Sequence, residues 1–405
     1  MRGACAPDAP VWTFNRRSTL VKRLTALPAA ALVAAALAGC RPDESATAPA
    51  RPQTAPASRT VVVTPNPLVA TQRVGFGLPP GQVAAPNTPG GGVVVGQNLY
   101  TGDAVNGFRH WMPADPSNPD PLNSGILVFD PDFGFSLGGT ELCVLFCQVG
   151  QIAYDGNRTV YLTAYDHAKG QPGSLTMPGV WRIDVDPVAG FVTPGAQLAP
   201  KAGLQGNQPN SIALGPDGNL YIGFLKNGNI VRLKNPTADP NDPAAAQTQI
   251  VQSVGTSPNG RPVRSLAFLG ANLYLGTTDG LSVITNAVSP QCLGGCNGVP
   301  VADGFAGSTH VGLTSNDPNT LYMSINGTGV WRYTVSTQTT TLISTSGTNP
   351  VTSAAVPFAF VGGHGNLLQL DHEGNLWIGD DAGDGLLNFD GRIWYISASA
   401  LGTIP

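Results

Sequence analysis

Charge is scarce in this chain of 405 residues, where Asp, Glu, Lys and Arg together make up 11%. Neutralising phosphates takes stripes of Lys and Arg, so the sequence argues against nucleic acid as a partner. Histidine is limited to five residues, which leaves few candidates for acid–base work. A helical period is missing too: beyond the first forty residues, no stretch repeats its apolar residues at the spacing of an amphipathic helix. Nor does any later apolar run approach the roughly 20 residues needed to cross a hydrocarbon core of about 30 Å. Turn formers, by contrast, are plentiful, with 51 Gly and 36 Pro, and they suit short strands joined by tight turns.

The N-terminus has the parts of an export signal. Arg16, Arg17, Lys22 and Arg23 form a basic region, followed by an apolar run from Leu24 to Leu37. The run ends in Leu37-Ala38-Gly39-Cys40, a match to the lipobox at which bacterial lipoproteins are cleaved and lipidated. An ordinary signal peptide with an incidental cysteine is the alternative. Arg16-Arg17 resembles a twin-arginine signal without its usual Phe, so both export routes stay open. Residues 1–39 are thus expected to be a leader, with Cys40 the lipidation site and the bacterial cell envelope the location. Arg41, rather than Asp, after the cysteine favours the outer membrane, and the lipid would be the membrane contact. Removing 1–39 takes away five of the 21 Lys and Arg and one of the 25 Asp and Glu. The mature chain would carry a net charge near −8. Residues 40–59 are rich in Pro, Ala, Ser and Thr without apolar periodicity and read as a semi-extended tether.

Of the six cysteines, four remain after Cys5 and Cys40, in two close pairs, Cys143/Cys147 and Cys292/Cys296. Outside the cytoplasm the expectation is disulfides. The two glycines between Cys292 and Cys296 permit the turn such a bond requires. In an extended strand Cys143 and Cys147 would lie roughly 13 Å apart, beyond bridging, so that segment must turn or leave its thiols unpaired. A metal site is the rival reading, although no His neighbours either pair.

Residues 60–405 contain a repeat. An Asn/Thr/Val-Leu/Val-Tyr/Trp strand recurs with its aromatic at Tyr100, Tyr161, Tyr221, Tyr274, Tyr322 and Trp377, at spacings of 61, 60, 53, 48 and 55 residues. Each is followed by a second strand signature, for example GVWRIDVDP, NIVRLKNP and GVWRYTV. Units of about 50 residues, each able to supply four antiparallel strands, describe the blades of a β-propeller. The fold expected is therefore all-β, a six-bladed β-propeller over 60–405. Seven blades with one degenerate, or a tandem of β-sandwiches, are the alternatives. RTVVVTP and TQRVGFG near the start are candidates for an outer strand that seals the ring.

GPDGNLYIG and DHEGNLWIGD resemble the hairpin of the NHL and senescence-marker-protein/gluconolactonase group of six-bladed propellers. That resemblance implies the fold across all six repeats, whereas several activities share the hairpin. It also implies a divalent cation, Ca²⁺ or another, at the channel mouth, held in that group by Glu, Asn, Asn and Asp. Pro209-Asn210 looks like the group's Pro-Asn ligand, and Asn366 stands where the group carries its Asp. No matching Glu is found in the first repeat. Asn can ligate Ca²⁺ but cannot take a proton.

Aligning the repeats on their aromatics puts Gln151 (or Gly150), Asn210, Arg264, His310 and Asn366 at the start of the innermost strands. His167 and His364 would sit at the same rim. A polar ring at a channel mouth is the default ligand site of such a fold. His310 is the candidate catalytic acid–base group and Arg264 the candidate anion binder. Gln151, Asn210, Asn366, His167 and His364 would bind ligand, with Asn210 and Asn366 on the metal. Alternatively Arg264, His310 and Asn366 bond to one another and to water. The catalytic reading expects Ala at His310 and Arg264 to abolish turnover at an unchanged melting temperature. Asp380-Asp381-Ala-Gly-Asp384 reads as a solvated acidic turn. Two functions follow: an anchored propeller binding a small molecule, glycan or protein at its channel mouth, or a gluconolactonase-like hydrolase or lyase acting on a lactone or sugar-derived substrate.

Overall fold

The computed structural model describes most of residues 60–404. Outside the description lie 1–59, 75–88, 97, 104–106, 116, 118–126, 130–135, 138–139, 142–146, 167–178, 187–195, 199–207, 240–241, 359, 361–366, 381–390 and 405. The described chain is almost wholly β, and its strands pair as antiparallel meanders of four. The third is representative: Pro209–Leu214, Leu220–Phe224, Asn229–Leu233 and Val251–Thr256 pair in chain order. The innermost strands of the others are Pro89–Val95, Cys147–Tyr154, Val263–Leu269, His310–Thr314 and Leu368–Leu370. These six innermost strands touch in cyclic order, each packing on the next and the sixth returning to the first. That ring is the propeller expected from the repeat.

Each recurring aromatic lies buried between blades. Tyr100, Tyr161, Tyr221 and Trp377 have no solvent exposure, and Tyr274 and Tyr322 have 5% and 9%. Apolar clusters join neighbouring units: Tyr161, Leu220 and Ile222 share one, and Tyr221, Leu273 and Leu275 the next. The Asp and Asn in the hairpins explain why the motif recurs. Asp371 accepts from the Asn375 backbone at 2.9 Å with one oxygen, and from Trp377 Nε1 at 3.0 Å with the other. Asp217 likewise accepts from the Tyr221 hydroxyl at 3.0 Å and from Asn219 Nδ2 at 2.7 Å. A turn carboxylate thereby ties the hairpin to the polar end of a buried ring, which would otherwise lose its partner on leaving water.

The ring closes through the start of the chain. Leu68–Val74 pairs antiparallel with Arg392–Ile396 and supplies the sixth blade's outer strand. The TQRV candidate is thus the sealing strand. The same segment runs parallel to Thr339–Thr348 of the fifth blade, which Thr60–Val62 also joins in parallel. Blades five and six therefore share one ten-stranded sheet. Trp394 is fully buried at this seam, and a side chain at Gly347 would overlap its ring. Arg73 lies over the Tyr395 ring at 4.8 Å, a cation–π contact on the same strand pair.

Cys292 and Cys296 are joined, with Cα atoms 5.1 Å apart. Their loop lies along the outer strand of the third blade through Gly294 N to Ser253 O and Cys296 N to Val254 O, at 2.9 and 3.1 Å. Cys143 lies outside the described residues, as does the side chain of Cys147.

Two predictions follow from the packing. Gly347→Ala forces a methyl group into the Trp394 ring, and urea unfolding should register a loss of about 1–3 kcal/mol. The second concerns alkali. Burial pushes Tyr161 and Tyr221 from 10.0 up to about 12. The unfolded chain therefore releases these protons first, and stability falls as pH rises through the window between those values. The Tyr161 hydroxyl has no hydrogen-bond partner among the described residues. Tyr161→Phe should then change stability little at neutral pH and remove part of the alkaline loss, read by unfolding across that window.

Candidate functional site

The innermost strands share a backbone irregularity that sets which side chains face the channel. In the third blade Pro209 faces Phe224 and Ser211 faces Gly223, so Asn210 is the extra residue of a β-bulge. Arg264 holds that place in the fourth blade, between Val263 opposite Thr277 and Ser265 opposite Gly276. In the first blade it is Gly90, and in the second Gly150 and Gln151 stand against Thr163. In the fifth blade His310 faces Ile325 and Gly312 faces Ser324, which makes Val311 the bulged residue. His310 therefore corresponds to Pro209 and Val263, one residue ahead of Asn210 and Arg264. Side chains alternate along a strand, so an offset of one turns a residue to the other face.

The surroundings of His310 agree with this placement. Its side chain has no solvent exposure, and Asp303 beside it is 2% exposed. Nε2 meets Asp303 Oδ2 at 2.5 Å, and Nδ1 meets the Ser308 carbonyl at 3.1 Å. The Phe305 backbone donates to the second Asp303 oxygen at 2.9 Å, and Thr340 donates to the Asp303 carbonyl at 2.7 Å. Both ring nitrogens are committed, and the pair braces the crossing from the fourth blade to the fifth. This corrects the expectation of a solvent-facing acid–base group at the mouth. Asp303 was missed because it lies seven residues away in a loop, where turn chemistry alone explains an Asp before Gly.

Asn210 is fully buried and donates through Nδ2 to the Arg264 carbonyl at 3.0 Å. Its Oδ1 has no hydrogen-bond partner among the described residues. The Arg264 side chain is half-buried. Gln151 reaches further: Nε2 donates to the Leu266 carbonyl at 2.9 Å, while Oε1 accepts from Leu266 N at 2.9 Å and Ile212 N at 3.2 Å. One amide from the second blade thus ties the third and fourth inner strands together. Asn366, His167 and His364 lie outside the described residues, as do Asp381, Asp384 and Cys40. Asp380 is fully buried, and one of its oxygens accepts from Phe360 N at 3.0 Å, so the solvated turn expected there does not begin at this residue.

The described cavity of the ring lies toward the other end of the inner strands. Its volume is about 390 Å³, and all six blades contribute to its wall. Gln151, Thr314, Ser315 and Gln369 supply amides and hydroxyls, and Tyr154 and Phe268 supply flat apolar faces. Tyr154 is fixed by its hydroxyl donating to the Asn157 carbonyl at 2.6 Å, and Phe268 by an edge-on contact with Tyr221 at 4.8 Å. Asp371 and His372 also line the cavity. Of this wall sequence reasoning named Gln151 alone and missed the rest, because the same strand ends also form the hairpin turns that identify the fold. Among the described residues, no three His, Cys, Asp or Glu side chains are grouped to hold a metal ion.

The sequence matches no known protein family model and no curated protein. Among solved structures the chain is similar to a PQQ-bound aldose sugar dehydrogenase from Streptomyces coelicolor, at 16% identity and a TM-score of 0.45, covering 82% of this chain and 99% of that one. Regucalcin from Agrobacterium tumefaciens, a calcium-binding protein, gives 13% and 0.47 over 84% and 95%. A gluconolactonase from Xanthomonas campestris gives 14% and 0.46 over 82% and 98%. The fold assignment rests on the strand pairing of this chain itself.

His310→Ala and Asp303→Ala should each destabilise the protein by about 3–5 kcal/mol, the usual result of leaving one member of a buried pair alone. Equilibrium denaturation of the two variants and the double variant checks this; the double should lose less than the sum.

Proposed function

We propose that this chain is an envelope-anchored propeller that binds an uncharged, ring-shaped small molecule, a sugar or its lactone, in the central cavity. The observation that carries the reading is the cavity wall. Six strands converge on about 390 Å³, within the range of pockets that enclose small ligands. Fixed aromatic faces, amides and hydroxyls line it together with Asp371 and His372, and no Lys or Arg does so among the described residues. A sugar presents apolar C–H faces and a rim of hydroxyls, which suits such a wall. Lipidation at Cys40 and the tether of residues 40–59 would hold the ring at the outer membrane.

One observation favours the second reading, a gluconolactonase-like hydrolase or lyase working at the opposite mouth. Asn210 Oδ1 is buried without a hydrogen-bond partner among the described residues, as suits an amide oxygen waiting for a cation. Ca²⁺ takes six to eight oxygens, so Asn366 and other groups outside the described residues would have to complete the set. Such a cation would polarise a lactone carbonyl.

Calorimetry with glucose and glucono-1,5-lactone separates the readings, run beside a pH-stat assay of lactone opening with and without EDTA. Binding without turnover, weakened about ten-fold or more by Gln369→Ala or His372→Ala, supports the first. EDTA-sensitive acid release that Asn210→Ala abolishes and Gln369→Ala leaves intact supports the second and overturns the first.

A further inference from the structure

The cavity does not end at the hairpins. A second hollow of about 460 Å³ adjoins it, lined by Pro216, Asn316 and Pro318 together with four residues that also line the first: Tyr154, Leu214, Phe268 and Ser315. Those shared residues set the two hollows side by side, on a line from the ring's centre out over the hairpins of the third, fourth and fifth blades. Tyr154 and Phe268 stand at the junction. Both are half-buried, each held from behind by the contacts already described, so each offers a fixed ring face or edge to whatever crosses from one hollow to the other.

From this adjacency we infer that the ligand is elongated, a neutral oligosaccharide of at least two sugar units, with one unit in the central cavity and the next over the Tyr154–Phe268 junction. The inference rests on the binding reading given above. Three features support a saccharide chain. Rigid aromatics at a junction hold sugar rings through their apolar faces at low entropic expense. No Lys or Arg lines either hollow among the described residues, so an anionic chain would find no counter-charge. The carboxylates present are tied to their own hairpins: Asp317 accepts from the backbones of Asn319 and Thr320 at 2.7 and 2.8 Å, and Asp371 from its hairpin as above. A peptide that binds by adding a strand needs an unpaired strand edge, whereas the wall here is made of strand ends and turn tips whose backbone bonds close within the hairpin, as in Gly215 N to Asn219 O at 2.8 Å.

The test is calorimetry of the full chain with a β-1,4-linked glucose series of one to five units, repeated on Phe268→Leu, which keeps apolar volume and removes the flat face. The expected result is an affinity gain of at least ten-fold between one and two or three units, then a plateau. Phe268→Leu should abolish most of that gain, so that the oligomers lose at least five-fold more affinity than glucose does. Glucose binding with no dependence on length overturns the inference and leaves the binding reading intact, as does an equal loss for glucose and its oligomers in Phe268→Leu. Tighter binding of an uncharged Gly-Ser hexapeptide than of any oligomer also overturns it. Binding of no sugar in the series overturns both readings. Thermal unfolding of Phe268→Leu within a few degrees of the parent shows that the comparison concerns the site.

Discussion

A ring of sheets exists only if its last unit finds its first, and here that requirement falls on one strand. Leu68–Val74 gives the sixth blade its outer edge while lying parallel to the fifth blade's last strand. No other described segment joins the start of the chain to its end in this way. Trp394 and Gly347 show how tightly the seam is made: even a methyl group at Gly347 would overlap a fully buried indole. Everything inward of the seam, including the spacing of the six inner strands and the cavity they enclose, depends on that closure. A blade left without its neighbour would expose both apolar faces at once.

Much of this was legible in the sequence because the signals were local and repeated. The aromatic of each hairpin, its turn Asp or Asn, and the β-branched strands either side appear six times at nearly even spacing. Repetition turns a weak strand signal into a firm architectural one. The sealing strand was visible as TQRV but could not be placed, since its partners lie 276 to 324 residues further along the chain. Nothing in a strand's own composition names the edge it will meet.

The site was less legible, and His310 shows why. Arg264, Asn210 and His310 lie ten, eleven and twelve residues before their aromatics, so aligning them lets the count drift by one residue at each step. The β-bulge of the fifth blade falls at Val311, eleven before Tyr322, and the side chain of His310 turns from the channel into the packing. An alternating pattern carries no mark of where the extra residue sits. Asp303, which completes that buried pair, lies in a loop with ordinary turn chemistry. The cavity wall was hidden differently. Gln369, Thr314 and Phe268 are unremarkable singly, and they become a surface only when six strand ends converge.

The three hydrogen bonds of Gln151 have a consequence for the width of the ring. They stretch an amide from the second inner strand to the third and fourth, at one end of the cavity. Drawing these three strands apart would strip a part-buried amide of its partners. The gauge of this half of the ring is therefore set by a single side chain as well as by the apolar faces between blades.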